Sequence, residues 1–214
     1  MALLPLIEKK ILKYLELENT ISENRKILLT SFAEYISKKI KDEEKINLTF
    51  ICTHNSRRST MSQIWAQTAA EYFDIPNIKC YSGGTEATAF NPRAVIAVRE
   101  SGFEVEQKDE SDNPIYFVRF SEDNEPLKCF SKVYGDEFNP QTGFAAIMTC
   151  SDADANCPLV LGAEARFPIK YDDPKEYDGT DLEGQKYSER FEQIGIEILY
   201  VFTQSFPVPT GIKP

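Results

Sequence analysis

Residues 46–60 read INLTFICTHNSRRST, and this stretch decides the fold. Apolar side chains recur at every second position, 46, 48 and 50, which predicts a β-strand that ends at Cys52. Beyond position 60 the apolar residues return at helical spacing as far as Tyr72, which predicts a helix. The sequence therefore places Cys52 on a short loop between a buried strand and a helix.

A thiol and a guanidinium stand at the two ends of this loop. Cys52 and Arg58 are separated by five residues, directly before the predicted helix. The N–H groups of such a loop point at a bound anion, and a guanidinium binds two anion oxygens at once. The positive charge also favours the thiolate, which is the attacking form of cysteine. We therefore predict an oxyanion-binding loop with Cys52 as nucleophile and with the binding residues Thr53, His54, Asn55, Ser56, Arg57, Arg58 and Ser59.

Helical and strand patterns alternate along the rest of the chain. Two amphipathic helices are predicted before the first strand, over residues 3–18 and 22–41. Strands are predicted after it at 78–82, 144–149 and 165–171, and helices at 93–100 and 186–206. Such alternation favours a mainly parallel sheet between two layers of helices.

A β-hairpin is predicted as an insertion in this pattern, because residues 114–120 and 127–134 read as strands around the turn-rich SEDNEP. The expected fold is thus an α/β three-layer sandwich with a mainly parallel central sheet, an N-terminal helical hairpin and an inserted β-hairpin. We divide it into a helical extension, residues 1–45, and one catalytic domain, residues 46–214. The extension packs either on that domain or on a second copy, which would make a homodimer.

Composition limits the partners and the compartment. A net charge of −10 repels nucleic acid and anionic membranes, so neither is an expected partner, and any anion must be captured locally. No apolar run approaches the roughly 20 residues of a membrane helix, and the N-terminus lacks the order of a secretory signal. Five cysteines without an export signal argue for reduced thiols. We expect a cytoplasmic protein.

The segment CTHNSRRS at the end of the first strand resembles the signature loop of low-molecular-weight protein tyrosine phosphatases. It also resembles the loop of the thioredoxin-coupled arsenate reductases that share their fold, and the resemblance covers most of residues 46–206. This implies a low-molecular-weight tyrosine phosphatase-like architecture. Two positions depart from the family pattern: His54 replaces the usual glycine, and Arg57 replaces the cysteine common in the reductases.

Two further segments strengthen the resemblance. Tyr171-Asp172-Asp173-Pro174 resembles the Asp-Pro loop of the family, which implies that Asp173 is the general acid. Residues 148–158, MTCSDADANCP, resemble the segment that carries two redox cysteines in the reductases, which implies that role for Cys150 and Cys157. No metal or other cofactor is expected, since a seven-residue offset between cysteines is not the usual spacing of zinc ligands.

The resemblance implies an arsenate reductase that uses Cys52, Cys150 and Cys157 in relay. Its substrate is a small oxyanion, arsenate or phosphate, and its reductant is thioredoxin or a similar dithiol protein. The alternative is a protein tyrosine phosphatase that hydrolyses phosphotyrosine with Cys52, Arg58 and Asp173 alone. A third class is a non-catalytic oxyanion or redox sensor. The other two cysteines, Cys80 and Cys129, are expected to serve packing only.

Overall fold

The computed structural model describes residues 2–157 and 159–206, so the end of the predicted catalytic domain, 207–214, lies outside the described residues. Helices and strands alternate through the described chain. They are α1 (Pro5–Glu16), α2 (Glu23–Lys41), β1 (Ile46–Cys52), α3 (Arg58–Tyr72), β2 (Ile78–Gly84), α4 (Pro92–Glu100), β3 (Glu104–Gln107), β4 (Tyr116–Arg119), β5 (Leu127–Cys129), β6 (Phe144–Met148), α5 (Ser151–Asn156), β7 (Ala163–Phe167) and α6 (Glu183–Ser205).

The central sheet has four parallel strands in the order β2-β1-β6-β7. Strand β1 is central, which explains its nearly continuous burial. Positions 46, 48 and 50 enter the main core, as the alternating pattern predicts. The last two residues of the strand, Ile51 and Cys52, both enter a smaller apolar cluster that includes Ala153 of α5. The prediction of an α/β fold with a parallel central sheet is therefore confirmed.

Helix α6 is the centre of the main helical layer, because it packs against α1, α2, α3 and α4. The predicted N-terminal helices both form, and the main core includes Ile7 and Ile11 of α1 and Phe32 and Ile36 of α2. Helix α2 begins after Ser22, whose hydroxyl caps it. None of the helices in the described ranges is long and apolar enough to span a bilayer.

The insertion is larger than the predicted hairpin. Strands β3, β4 and β5 form a separate antiparallel sheet in that order. Strand β3 was not predicted, because its sequence EVEQ offers a single apolar residue and it lies at the surface. The second predicted strand, 127–134, ends at Cys129, and the chain then runs beside Gly84 at the end of β2.

The strand predicted over residues 165–171 begins at Ala163 and ends at Phe167. Pro168 follows directly, and proline has no N–H group to donate to a neighbouring strand. Residues 168–173 therefore lie outside regular secondary structure. This irregular segment leads into the Asp-Pro sequence and so forms one wall of the site.

Candidate active site

The loop between β1 and α3 turns carbonyl groups outward, since four of them, counted from Cys52, are held by other segments of the chain. The bonds are Thr85 N–H to Cys52 O (3.1 Å), Glu86 N–H to Thr53 O (2.8 Å), Ser131 Oγ–H to His54 O (2.8 Å) and Asn91 N–H to Ser56 O (2.9 Å). Within the described ranges, the N–H groups of residues 54–59 find no acceptor. The loop thus presents N–H donors on its inner side, the arrangement that binds a tetrahedral oxyanion.

Asn55 fixes the shape of this loop. It has a φ of +47°, a left-handed conformation that asparagine adopts more readily than most residues. Its side-chain amide donates to Ser59 Oγ at 2.9 Å, and its side-chain carbonyl accepts from Lys132 N–H at 3.0 Å. The replacement of glycine by His54 therefore costs no strain, because the left-handed residue of the loop is Asn55 and not His54.

Close approach to the loop also requires Gly84 at the end of β2. A Cβ atom on this residue would lie 2.6 Å from Thr53 O and 2.8 Å from Asn55 N. Both atoms belong to the backbone and cannot move aside without changing the loop. The glycine therefore allows β2 to support the oxyanion loop from behind.

Cys52 lies at the base of the loop and is 3% exposed. Its sulfur is 3.1 Å from Ser59 Oγ. Because Ser59 Oγ already accepts from Asn55, its own proton is free to be donated to the sulfur. The network Asn55, Ser59 and Cys52 therefore suits a cysteine that acts as a thiolate.

Arg58 begins α3 and points toward the Asp-Pro segment. Its Nη1 donates to Tyr171 O at 3.0 Å, and its Nη2 donates to Asp173 Oδ2 at 2.7 Å. The Nε atom is buried and has no partner among the residues the structure describes. The two Nη atoms of the guanidinium are thus held by the Asp-Pro segment, whereas Nε remains available to donate to an oxyanion.

Asp173 meets both arginines of the loop. Its Oδ2 is 2.7 Å from Arg58 Nη2 and 3.5 Å from Arg57 Nη1, and its Oδ1 accepts from Lys175 N–H. The structure therefore brings the predicted acid to the predicted oxyanion loop. Proline at position 174 and the hydrogen bond from Lys175 fix the direction of the carboxylate.

Tyr187 of α6 holds Arg57 and was missed by the sequence reasoning. Its hydroxyl accepts from Arg57 Nε at 3.2 Å and donates to Asp178 Oδ1 at 2.8 Å. Burial, followed by the nearby Asp178 carboxylate, raises the pKa of Tyr187 to about 12, so this hydroxyl stays protonated. Nothing in the sequence separates Tyr187 from the other aromatic residues on the buried face of α6.

Ser131 and Lys132 also escaped the sequence reasoning, although they hold the loop from the side of the insertion. Ser131 Oγ accepts from Thr88 N–H at 2.7 Å while it donates to His54 O. Lys132 contributes only its backbone N–H to Asn55. These contacts join residues 77 positions apart along the chain, so no local sequence pattern predicts them.

Cys150 reaches the same end of the sheet because β6 lies parallel to β1. Its sulfur is 3.4 Å from Thr53 Oγ1 and accepts from Ala153 N–H at 3.4 Å, so Cys150 caps the short helix α5. Cys157 follows the last residue of α5, is partly buried, and packs on the apolar cluster that contains Cys52 and Cys150. All three cysteines of the predicted relay thus adjoin one cluster.

The two remaining cysteines lie elsewhere. Cys80 on β2 and Cys129 on β5 are both buried. Burial raises the pKa of the Cys80 thiol and raises that of Cys129 to about 12, so both stay protonated and inert. Among the described residues, no group of three or more His, Cys, Asp or Glu side chains is placed to hold a metal ion.

Comparisons with solved structures identify the fold. No family model matches the chain. A solved low-molecular-weight phosphotyrosine phosphatase from Vibrio cholerae O395 shares the fold, with a TM-score of 0.50 and 15% identity over 78% of this chain and 99% of that one. The protein is therefore an α/β protein of the low-molecular-weight tyrosine phosphatase fold.

Sequence relatives define the family more narrowly. An arsenate reductase of Bacillus licheniformis is 31% identical over 158 residues, which cover 72% of this chain and 93% of that protein. An arsenate reductase of Staphylococcus aureus is 31% identical over 155 residues, covering 72% and 91%. The chain belongs to this arsenate reductase family, and the resemblance seen in its sequence is confirmed.

Proposed function

We propose that the protein reduces arsenate to arsenite through a relay of Cys52, Cys150 and Cys157. The observation that carries this proposal is the placement of two further cysteines beside the oxyanion loop: Cys150 within hydrogen-bonding distance of Thr53, and Cys157 at the far end of α5. A phosphatase has no use for them. The names of the sequence relatives point to the same reaction.

The first step forms a bond between sulfur and arsenic. The Cys52 thiolate attacks the arsenic of hydrogen arsenate, and the arsenate hydroxyl group leaves as water after taking one proton from Asp173. The loop N–H groups and the Arg58 guanidinium hold the remaining oxygens. Arg58 Nη2 binds Asp173 in the structure. An oxyanion that enters the loop therefore competes with Asp173 for Arg58 Nη2, and the Asp173 carboxyl group stays close to the departing oxygen.

The second step transfers two electrons to arsenic. The Cys150 thiolate attacks Cys52 Sγ, a disulfide bond forms, and the electron pair of the broken sulfur–arsenic bond stays on arsenic, which leaves as arsenite. Cys157 then attacks Cys150 and frees Cys52. The resulting Cys150–Cys157 disulfide is reduced by thioredoxin or a similar dithiol protein, which restores both thiols.

A second candidate function is the hydrolysis of phosphotyrosine. It is favoured by the fact that Cys52, Arg58 and Asp173 form a complete set without any other cysteine. In that reaction water, rather than Cys150, would resolve the covalent intermediate on Cys52. The two functions share the first step and differ in the need for a second thiol.

A coupled assay tests the proposal. The unmodified protein, with thioredoxin, thioredoxin reductase and NADPH, is expected to oxidise one NADPH for each arsenate reduced, and phosphate in place of arsenate should give no oxidation. Failure with every dithiol donor, together with hydrolysis of an aryl phosphate, would favour the phosphatase. Failure of both reactions would leave the non-catalytic sensor.

A further inference from the structure

A buried ion pair joins the N-terminal helix α2 to α6. Arg25 Nε and Nη2 both donate to Glu197 Oε2, at 3.0 and 2.6 Å. Gln193 donates to the other carboxylate oxygen at 3.1 Å. The side chains of Arg25 and Glu197 are only 17% and 5% exposed, so their mutual geometry is fixed by the surrounding packing.

The Arg25 guanidinium also lies over the ring of Tyr171, with its carbon 4.9 Å from the ring centroid. Tyr171 is 5% exposed. Burial, and then the Glu197 carboxylate, raise the pKa of Tyr171 well above its ordinary value, so the hydroxyl stays protonated and Arg25 lies over a neutral ring. A desolvated contact of a cation with an aromatic face is at the strong end of its range.

The backbone of Tyr171 makes hydrogen bonds with Arg58 and with the residue that precedes Cys150. Its carbonyl accepts from Arg58 Nη1 at 3.0 Å, and its N–H donates to Thr149 O at 3.1 Å, one residue before Cys150. Asp173 follows two residues later and holds the second Nη of Arg58. A shift of Tyr171 therefore displaces an acceptor of Arg58 and the segment that carries Asp173.

Residues 168–173 have no helix or strand to fix them, so Tyr171 is held by its two backbone hydrogen bonds and by the contacts of its side chain. A cavity of about 520 Å³ is lined by Arg25, Tyr171, Lys170 and Ile21 among others. It offers room for the ring to move once Arg25 is shortened. The position of the carbonyl that Arg58 uses is thus sensitive to a residue of the N-terminal helices.

We propose that Arg25 is a positioning residue for the oxyanion site, acting through Tyr171 on Arg58. The proposal rests on the oxyanion-binding role proposed above. It assigns a task to the N-terminal helices: they anchor the irregular segment that aligns the arginine and the acid with the loop.

The test compares Arg25→Met with Arg25→Lys and with the control Lys26→Met. Lys26 is next to Arg25 on α2, but among the described residues its ammonium group pairs only with the exposed Glu23. Binding of inorganic phosphate is measured by calorimetry on protein shown to be folded by circular dichroism. Arg25→Met is expected to weaken phosphate binding about tenfold. Substitutions of residues that do not touch the ligand, but pack against residues that do, change binding by factors of about this size. Arg25→Lys should restore most of it, and Lys26→Met should bind as the unmodified protein does.

Arg25→Met leaves the buried Glu197 carboxylate with the Gln193 hydrogen bond but without a cation, which costs stability. The double variant Arg25→Met with Glu197→Gln removes that charge, so it can be tested even if the single variant does not fold. It should show the same loss of phosphate affinity. If the single or the double variant folds and binds phosphate as tightly as the unmodified protein, the role of Arg25 is overturned, whereas the proposed function is not affected. An unmodified protein that binds neither phosphate nor arsenate would contradict this role and the proposed function together.

Discussion

Cys52→Ser is expected to lower both arsenate reduction and aryl phosphate hydrolysis by at least about a thousandfold, because nucleophile removal has effects of this order or larger. A serine hydroxyl is not appreciably ionised near neutral pH, and the thiolate is the attacking species. Serine is close to cysteine in size, so the loop and its inward N–H groups should remain. Steady-state rates of both reactions, measured on the same preparation, check the prediction.

Cys129→Ala provides the matched control. Cys129 is as buried as Cys52, but it lies on β5 in the inserted sheet, and its thiol stays protonated. Its replacement should leave both rates unchanged. If Cys52→Ser retained rates near those of the unmodified protein, Cys52 would have no part in the mechanism.

Cys150→Ser is expected to stop multiple turnover of arsenate and to leave aryl phosphate hydrolysis within about twofold of the unmodified rate. Only arsenate reduction needs a second thiol to attack Cys52. A serine oxygen can still cap α5 by accepting from Ala153 N–H, so the local fold should survive. The two rates are compared on one preparation.

Cys80→Ala is the control for this second variant, since Cys80 is buried on β2 and away from the loop. It should support both reactions at the unmodified rate. Equal loss of both activities in Cys150→Ser would mean that Cys150 supports the loop rather than the relay.

The strand, loop and helix around Cys52 could be predicted because their signals are local. The apolar period is two over residues 46–50 and about 3.6 beyond residue 60, and this change alone places Cys52 between β1 and α3. The parallel arrangement of β1 and β6 then follows from the alternation of strands and helices, and it brings Cys150 to the same edge.

The supports of the site could not be predicted, because they depend on contacts between distant segments. Ser131 holds His54, Tyr187 holds Arg57, and Arg25 lies over Tyr171. Each of these residues has an ordinary local setting: a loop serine, a helix aromatic and an arginine in the first turn of a helix. Only the fold brings them to the site, so sequence patterns around them carry no signal.

Helix α5 sets a physical requirement on the relay. Cys150 precedes its first residue and Cys157 follows its last, so their Cα atoms are about 10 Å apart along the axis at roughly 1.5 Å per residue. A disulfide needs Cα atoms within about 7 Å, so α5 must unwind when the bond forms. Unwinding must also release Asp154 from Arg166, which donates to its backbone carbonyl at 2.8 Å.

The most direct test of the relay is disulfide mapping by mass spectrometry after one arsenate turnover without reductant, with hydrogen exchange on the reduced and oxidised protein. We predict one arsenite released per chain, a Cys150–Cys157 disulfide, a free Cys52 thiol, and faster exchange across residues 151–156 in the oxidised form. Stoichiometric arsenite release with Cys150 and Cys157 both remaining as free thiols would contradict the relay.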